Sequence, residues 1–488
     1  MSVPAYLQAH DGVAESGTFS QLIGGELVAG AGTVDVVDPA TGRPFAQAPV
    51  ADAAQVDDAV AAAKAAFPGW SALSHDERGA ALHRLADAIE ARAEEFARLV
   101  TREQGKPLTE AGGDVDAALA YLRHFADWRP ESEVVRDDEA AFVEIVRRPL
   151  GVVAAIIPWN FPFFQTVYKL GPALITGNTV VVKPAPTTPL NAMVLGELLR
   201  DTLPAGVVNV VGDAGEVGPL LTGHADVAKV SFTGSTASGR HVMAAAASTL
   251  KRVTLELGGN DSAVVLADAD VEKAAQGVFT WAFANAGQVC ISIKRIYVHR
   301  SIHAAFCTEL ARLADAVVVG PGLDDGVAMG PIHNSRQFDA VRGYLKLAHD
   351  GGTVTAGGGV VEGGDVGGGG YFVRPTVVTD IDETDPLVRE ETFGPVRSVF
   401  AFDEIDEVVA RVNGTDYGLG NSVWGSDVDA ATAVARRLDS GTSWVNQHFA
   451  LSPDVPFGGR KQSGIGSEFG RDGILAFTDV QVVNVSRA

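Results

Sequence analysis

Only two cysteines, Cys290 and Cys307, occur in 488 residues. A disulfide framework is implausible at that density in so long a chain. No Cys/His spacing suits a zinc site, so no structural metal is expected. Basic residues are also scarce: 38 Lys and Arg against 61 Asp and Glu leave a net charge of -23. A phosphate backbone needs a basic footprint, so no nucleic-acid partner is expected; the acidic excess reads as a solvated surface. No apolar run approaches the ~20 residues that span a bilayer, and no membrane partner is expected. The opening Met1-Ser2-Val3-Pro4-Ala5 has neither the basic nor the apolar segment of an export signal, which makes a cytoplasmic location the default expectation.

What is present suits a globular protein: 46% hydrophobic and 20% charged residues. The length implies two or three domains. Residues 1–50 read as short strands and turns, punctuated at Gly24-Gly25 and Asp38-Pro39-Ala40-Thr41-Gly42. A helix is expected from about Asp52 to Phe67, stopped by Pro68-Gly69. A second opens at Ser74-His75-Asp76-Glu77, a capping-box pattern. It carries Leu82, Leu85, Ile89, Phe96, Leu99 and Val100 on one face and ends at Gln104-Gly105-Lys106-Pro107. Residues 141–148 and Val480 to Val485 read as two strands. They form either a ribbon completing a sheet in a neighbouring subunit or two ordinary edge strands.

From Gly151 short β-branched runs alternate with helical stretches: Val152 to Ile157, Val180 to Lys183, Val207 to Val211, Val230 to Phe232 and Val253 to Leu257. Such runs indicate a parallel sheet covered on both faces, with ligands at the carboxyl ends of its strands. A second α/β pattern follows Gly258-Gly259, with Ala263 to Leu266, a helix toward Cys290, and Arg295 to Val298. The glycine-dense residues 351–370 read as a surface loop, because no strand or helix start frames them as a phosphate cradle.

Several residues carry chemistry. Cys290, in Gly287-Gln288-Val289-Cys290, reads alone as a buried inert cysteine more readily than as a nucleophile. Glu256 shifts that balance, since an acid at the end of an apolar strand is costly without a partner or a task. Asn160, in Pro158-Trp159-Asn160-Phe161-Pro162, is either a turn residue or an amide donor to an oxyanion. Phe232-Thr233-Gly234-Ser235 through Gly239 joins a strand end to a helix, where small residues let a pyrophosphate approach. The standard G-x-G-x-x-G fingerprint is absent.

These stretches occur in order with Lys183-Pro184, Leu255-Glu256-Leu257-Gly258-Gly259, Glu391-Thr392-Phe393-Gly394-Pro395 and Pro456-Phe457-Gly458-Gly459. Together they resemble the NAD(P)-dependent aldehyde dehydrogenase superfamily. The resemblance implies an α/β fold of that type: two doubly wound α/β domains plus a small β-ribbon oligomerisation element. Residues 1–130 and 150–256 would form the dinucleotide-binding domain, 257–474 the catalytic domain, and 131–149 with 475–488 the ribbon of a homodimer or homotetramer.

The implied reaction oxidises an aldehyde to an acid. Cys290 would attack the carbonyl, Asn160 and the Cys290 N–H would hold the oxyanion, and Glu256 would activate water against the thioester. Lys169 would lower the thiol pKa. The cofactor would meet Ile157, Pro158, Trp159, Lys183, Pro186, Gly212, Phe232, Thr233, Gly234, Ser235, Leu257, Glu391 and Phe393. Pro186 departs from the family pattern, where a glutamate or serine is common. It neither accepts from a ribose hydroxyl nor repels a 2′-phosphate, so NAD is expected, with NADP possible. Phe161, Gln165, Tyr168, Val289, Ile291, His448 and Phe449 would line the substrate tunnel, suiting an uncharged aliphatic or aromatic aldehyde. The alternatives are a CoA-acylating dehydrogenase, whose relatives generally lack the carboxylate at position 256, and a silent nucleotide-binding or structural relative. Cys307 is a bystander, and Ser463-Gly464-Ile465-Gly466 and Arg471 are assigned to structure.

Overall fold

A computed structural model describes residues 3–130, 133–361 and 369–487. Part of the glycine-dense stretch (362–368) and the first ribbon residues (131–132) lie outside them. The five expected runs form the parallel centre of an eight-stranded sheet, as Val152–Ile156, Thr179–Lys183, Val208–Val210, Val227–Thr233 and Arg252–Glu256. All five are almost wholly buried, consistent with cover on both faces. Their spatial order places Val152–Ile156 between Thr179–Lys183 and Val227–Thr233. The chain winds outward one way from that strand, then returns and winds the other way. The crevice beyond Ile156 and Thr233 is therefore a topological switch point, where open α/β sheets bind ligands.

At one edge of the sheet Gln21–Ile23 and Glu26–Val28 add antiparallel strands. At the other, the Gly464–Ile465 strand pairs with Leu255 and Glu256. A second, seven-stranded sheet runs in the order Thr353–Ala356, Thr376–Thr379, Val396–Phe402, Ile293–His299, Asp261–Val265, Gly420–Trp424, Thr442–Val445. Its first pair is antiparallel and the remainder parallel. The two sheets are joined between Glu256 and Asp261, so the segment carrying Gly258-Gly259 passes from one to the other.

Two helix boundaries differ from expectation. The first helix spans Ala53–Ala72 and keeps Pro68 inside it. Trp70 holds that last turn: it is buried, and its indole N–H donates to the Leu174 carbonyl at 3.1 Å. Burying so large a ring contributes a few kcal/mol, enough to offset the roughly 3 kcal/mol cost of an internal proline. The second stretch is two helices, His75–Glu90 and Ala93–Gln104, with the capping box present at Ser74. The break falls at Arg92, whose guanidinium is committed to Glu95 and Glu197 at 2.8–2.9 Å. All six apolar positions are nevertheless fully buried, and Phe96 packs on Phe163 with ring centroids 4.5 Å apart. Gly105 ends the second helix in the left-handed conformation, φ 108°.

Strands Ala141–Pro149 and Thr478–Ser486 pair antiparallel along their whole length and, with Glu133–Asp137, make a separate three-stranded sheet. Val134, Val135, Val480, Val482 and Val485 stand 49–59% exposed on it. No helix among the described residues is long and apolar enough to cross a membrane. None of the described His, Cys, Asp and Glu side chains cluster in threes as metal ligands.

Candidate active site

Beyond Ile156 the chain turns through Ile157 to Asn160, tied to the next strand by Ile157 N–H donating to the Lys183 carbonyl at 3.0 Å. Asn160 is buried and donates through its amide to the Gln288 carbonyl at 3.1 Å. Its own carbonyl accepts from the Asn285 side chain at 3.0 Å. These bonds lock the first sheet's switch point to the segment before Cys290. One amide hydrogen of Asn160 remains for a ligand. Trp159 stacks on His333 at 4.6 Å and meets Phe393 edge-on at 5.3 Å.

The segment before the thiol is strained. The Val271–Phe283 helix stops, and Asn285, Ala286 and Gly287 follow at φ 51°, 54° and 71°. A non-glycine residue there costs on the order of 1–2 kcal/mol. Two groups, the half-buried Glu110 and the buried Arg397, stabilise the strained turn. The Glu110 carboxylate accepts from the Asn285 N–H at 3.0 Å. Arg397, wholly buried, donates to the carbonyls of Ala282 (2.7 Å), Gly394 (2.6 Å) and Val396 (2.9 Å) and to Ser292 Oγ (2.8 Å). No carboxylate among the described residues pairs with it, and burial pulls its pKa down to about 9. Arg397 thus pegs the thiol turn to the Glu391–Pro395 loop. Nothing but an arginine inside the apolar strand Val396–Phe402 advertised it in the sequence.

Cys290 is pushed up to about 12 by burial; the Lys294 ammonium opposes this, while Glu391, Glu256 and Asp261 add to it. Lys169 serves a different carboxylate. It sits 2.5 Å from Glu468 and 2.9 Å from Ser231 Oγ, and its charge acts against the rise of Glu256. Glu256 ends its strand fully enclosed, and both carboxylate oxygens lack a hydrogen-bond partner among the described residues. Burial, then the charge of Glu468, raises its pKa well above the usual carboxylate range. A buried carboxylate left unpartnered is costly unless the site uses it. Lys294 and Glu468 were not legible as site residues, because their roles depend on neighbours distant in sequence.

Pro158, Trp159, Asn160, Thr233, Gly234, Ser235, Leu257, Cys290, Glu391 and Phe393 line one cavity of about 280 Å³. Ser235 caps the Thr236–Ala247 helix, so its N-terminal amides face this cavity's rim. Gly258 admits no Cβ, which would collide with the Glu391 carboxylate. These features fit a dinucleotide's anionic and ring portions. Other expected cofactor residues lie outside the cavity lining. Phe232 is buried beneath Gly234, and Gly212 packs on Pro49 and bonds to Gln21 and Ala51. Pro186 is half-buried, and Lys183 is ion-paired to Asp213 at 2.8 Å. Burial pushes Asp213 up, but Lys183 and the N–H groups of Val217 and Gly215 outweigh it, leaving the carboxyl below its usual range.

A second cavity, about 500 Å³, is walled by Tyr121, Phe161, Phe164, Trp281, Phe449 and Val289, with Glu110 and Asp114 at its side. Consecutive residues line the two cavities: Asn160 and Cys290 the first, Phe161 and Val289 the second. Of the expected tunnel residues, Phe161, Val289 and Phe449 are brought together here. Gln165, Tyr168, Ile291 and His448 are not. Tyr168 donates to Gln165 Oε1 at 3.1 Å, and His448 Nε2 donates to the Ile291 carbonyl at 2.6 Å, supporting the thiol turn from behind. Asp114 pairs with Lys106 at 2.5 Å, and the Lys106 ammonium lies 3.7 Å over the Phe161 ring.

A Cβ at Gly287 would run into the Arg397 guanidinium and the Gly394 carbonyl. Gly287→Ala is therefore expected to displace the thiol and lower kcat about 100-fold or more. A variant within about tenfold of the parent rate would show that the turn does not position the site.

Residues 27–483 match the aldehyde dehydrogenase family. Among curated relatives, the chain is 41% identical over 474 residues to a phenylacetaldehyde dehydrogenase of Pseudomonas fluorescens, covering 94% of each. It is 39% identical over 475 residues to a betaine aldehyde dehydrogenase of Rhizobium etli, covering 96% of this chain and 97% of that one. An NAD+ complex of a Bacillus cereus aldehyde dehydrogenase superposes with a TM-score of 0.94 at 36% identity, covering 100% of this chain and 99% of that one. With an enclosed thiol, an unpartnered carboxylate and a cleft at the switch point all meeting at Cys290, the chain belongs to the aldehyde dehydrogenase family and is an oxidoreductase of NAD-dependent aldehyde oxidation.

Proposed function

We propose that the protein converts a bulky, uncharged aldehyde to its carboxylic acid through a thioester on Cys290. The observation that carries this reading is the buried, unpartnered Glu256 beside the enclosed thiol. Cys290 passes its proton to a water molecule and on to bulk solvent, and its sulfur forms a bond to the aldehyde carbon. The carbonyl electron pair becomes an oxyanion, held by the free amide hydrogen of Asn160 and the Cys290 backbone N–H. One such donor is worth about 3 kcal/mol. A bound nicotinamide supplies the hydride acceptor that lets the carbon reach the thioester level. Glu256 then takes a proton from water, the oxygen attacks the thioester, and the C–S bond breaks to release the acid and return the thiolate. Glu256 therefore supports water, rather than coenzyme A, as the resolving group. Burial pushes the Cys290 thiol up to about 12 and raises the Glu256 carboxyl above its usual range, so the deprotonated forms that react gain with pH and the rate rises through the alkaline range.

The aromatic walls of the larger cavity support an arylalkyl or aliphatic substrate. Glu110 and Asp114 set two carboxylates against the single Lys106 ammonium, which disfavours an anionic aldehyde. The similarity to a phenylacetaldehyde dehydrogenase is in keeping with this. NADH formation across phenylacetaldehyde, hexanal, betaine aldehyde and succinic semialdehyde tests the reading. The first two should exceed the semialdehyde about 100-fold or more in kcat/KM. Cys290→Ala should abolish turnover, and Glu256→Gln should release about one NADH per subunit in a burst and then stall. A semialdehyde preference would overturn the substrate class; an active Cys290→Ala would overturn the mechanism.

Asp213 supports NAD over NADP. Held anionic beside Lys183, it supplies the repulsion toward a 2′-phosphate that Pro186 lacks. The kcat/KM ratio should favour NAD by about tenfold or more and narrow in Asp213→Ser. A tenfold preference for NADP, or an unmoved ratio in the variant, would contradict this.

The valine-faced ribbon supports a homodimer or homotetramer, with 131–149 and 475–488 forming the interface beside a dinucleotide-binding unit (1–130, 150–256) and a catalytic unit (257–474). Deleting residues 480–488 should lower the mass read by light scattering; an unchanged mass would refute this role.

A further inference from the structure

Lys294 enters the Ile293–His299 strand four residues after the thiol and is 3% exposed. Its ammonium donates to the carbonyls of Cys290 at 2.7 Å, Val289 at 3.1 Å and Ser292 at 3.3 Å. An ammonium has three N–H groups, so the three carbonyls use them all. Glu391, 3.7 Å away, then engages it by charge. Two consequences follow from this geometry.

The first concerns direction. The Val289 carbonyl and the Cys290 N–H belong to one planar trans peptide and point to opposite edges of it. Fixing the carbonyl on Lys294 turns the Cys290 N–H the other way. The second concerns charge. Glu391 from the 390–395 loop, Asp261 from the neighbouring strand and Glu256 from the first sheet all disfavour the thiolate, and Lys294 is the cation that opposes them. Arg397, on the adjacent strand, adds to the positive charge facing Lys294. Burial pulls the Lys294 pKa down, while Glu391 and Asp261 push it back.

We propose that Lys294 is a positioning residue for the nucleophile: its ammonium aims the Cys290 N–H into the site and favours the thiolate, while Glu391 tempers that charge. This rests on Cys290 being the nucleophile, yet the test reads the thiol itself. Alkylation of Cys290 by iodoacetamide is followed by mass spectrometry on the full chain, from about pH 6 to 10. Throughout this range the rate tracks the thiolate fraction, so Lys294→Met should slow alkylation about tenfold, as a rise of about one unit in the thiol pKa would. Glu391→Gln should move the rate the opposite way. A Lys294→Met protein with the parent melting temperature and the parent profile would overturn the proposal. A slower Glu391→Gln thiol would do so too, and that variant decides the matter if Lys294→Met does not fold. Turnover by Cys290→Ala, measured separately, would remove the nucleophile assignment without touching the alkylation result.

Discussion

Three consecutive residues at positive φ, Asn285 to Gly287, set where the thiol stands, and most of the site exists to keep them there. Left alone, such a turn would relax, since each non-glycine member costs on the order of 1–2 kcal/mol. Glu110 holds it from the helix Leu108–Ala126, Asn160 from the first sheet and Arg397 from the second. Asn160 and Arg397 are buried, so their bonds form where water cannot compete, while Glu110 is half-buried at the wall of the larger cavity. The turn is therefore a joint between both sheets.

The same enclosure governs the electrostatics. Glu256, Glu391, Asp261 and Cys290 are all raised by burial, and only a few cations answer them. Lys169 is tied to Glu468 and acts on Glu256; Lys294 grips the thiol turn and faces Glu391. Lys169, on the helix Pro162–Ile175, thus acts on Glu256, and Lys294, on a strand of the second sheet, acts on Cys290. Burial shifts these acids toward their neutral forms, which limits the cost of holding several carboxylates in a dry interior.

Much of the fold was legible because periodicity is a local property. The five parallel runs, the Ser74 capping box and the paired ribbon strands each follow from the spacing of apolar or capping residues within a short window. The places of Pro68 and Arg92 escape such a window for the same reason. A proline ordinarily ends a helix, and nothing local reveals that Trp70 reaches Leu174; an unbroken apolar face conceals a break that Glu197 enforces. Of the tunnel, Phe161 and Val289 flank motif residues and so were within reach. Tyr121, Trp281, Glu110 and Asp114 come from elsewhere in the chain, and only their convergence makes a cavity.

The sequence by itself presented the candidate reagents: a thiol at 290, a carboxylate at 256, an amide at 160, and two sheets whose strand ends carry them. Side-chain type and strand position suffice for that, because chemistry belongs to the residue and strand ends follow from hydrophobic runs. Only the tertiary structure decided which charges act on which reagent. Lys169 went to Glu256 and Glu468, Lys294 to Cys290, and Asp213 to Lys183. Coulombic and hydrogen-bond terms depend on distance and burial, and neither is encoded by separation along the chain.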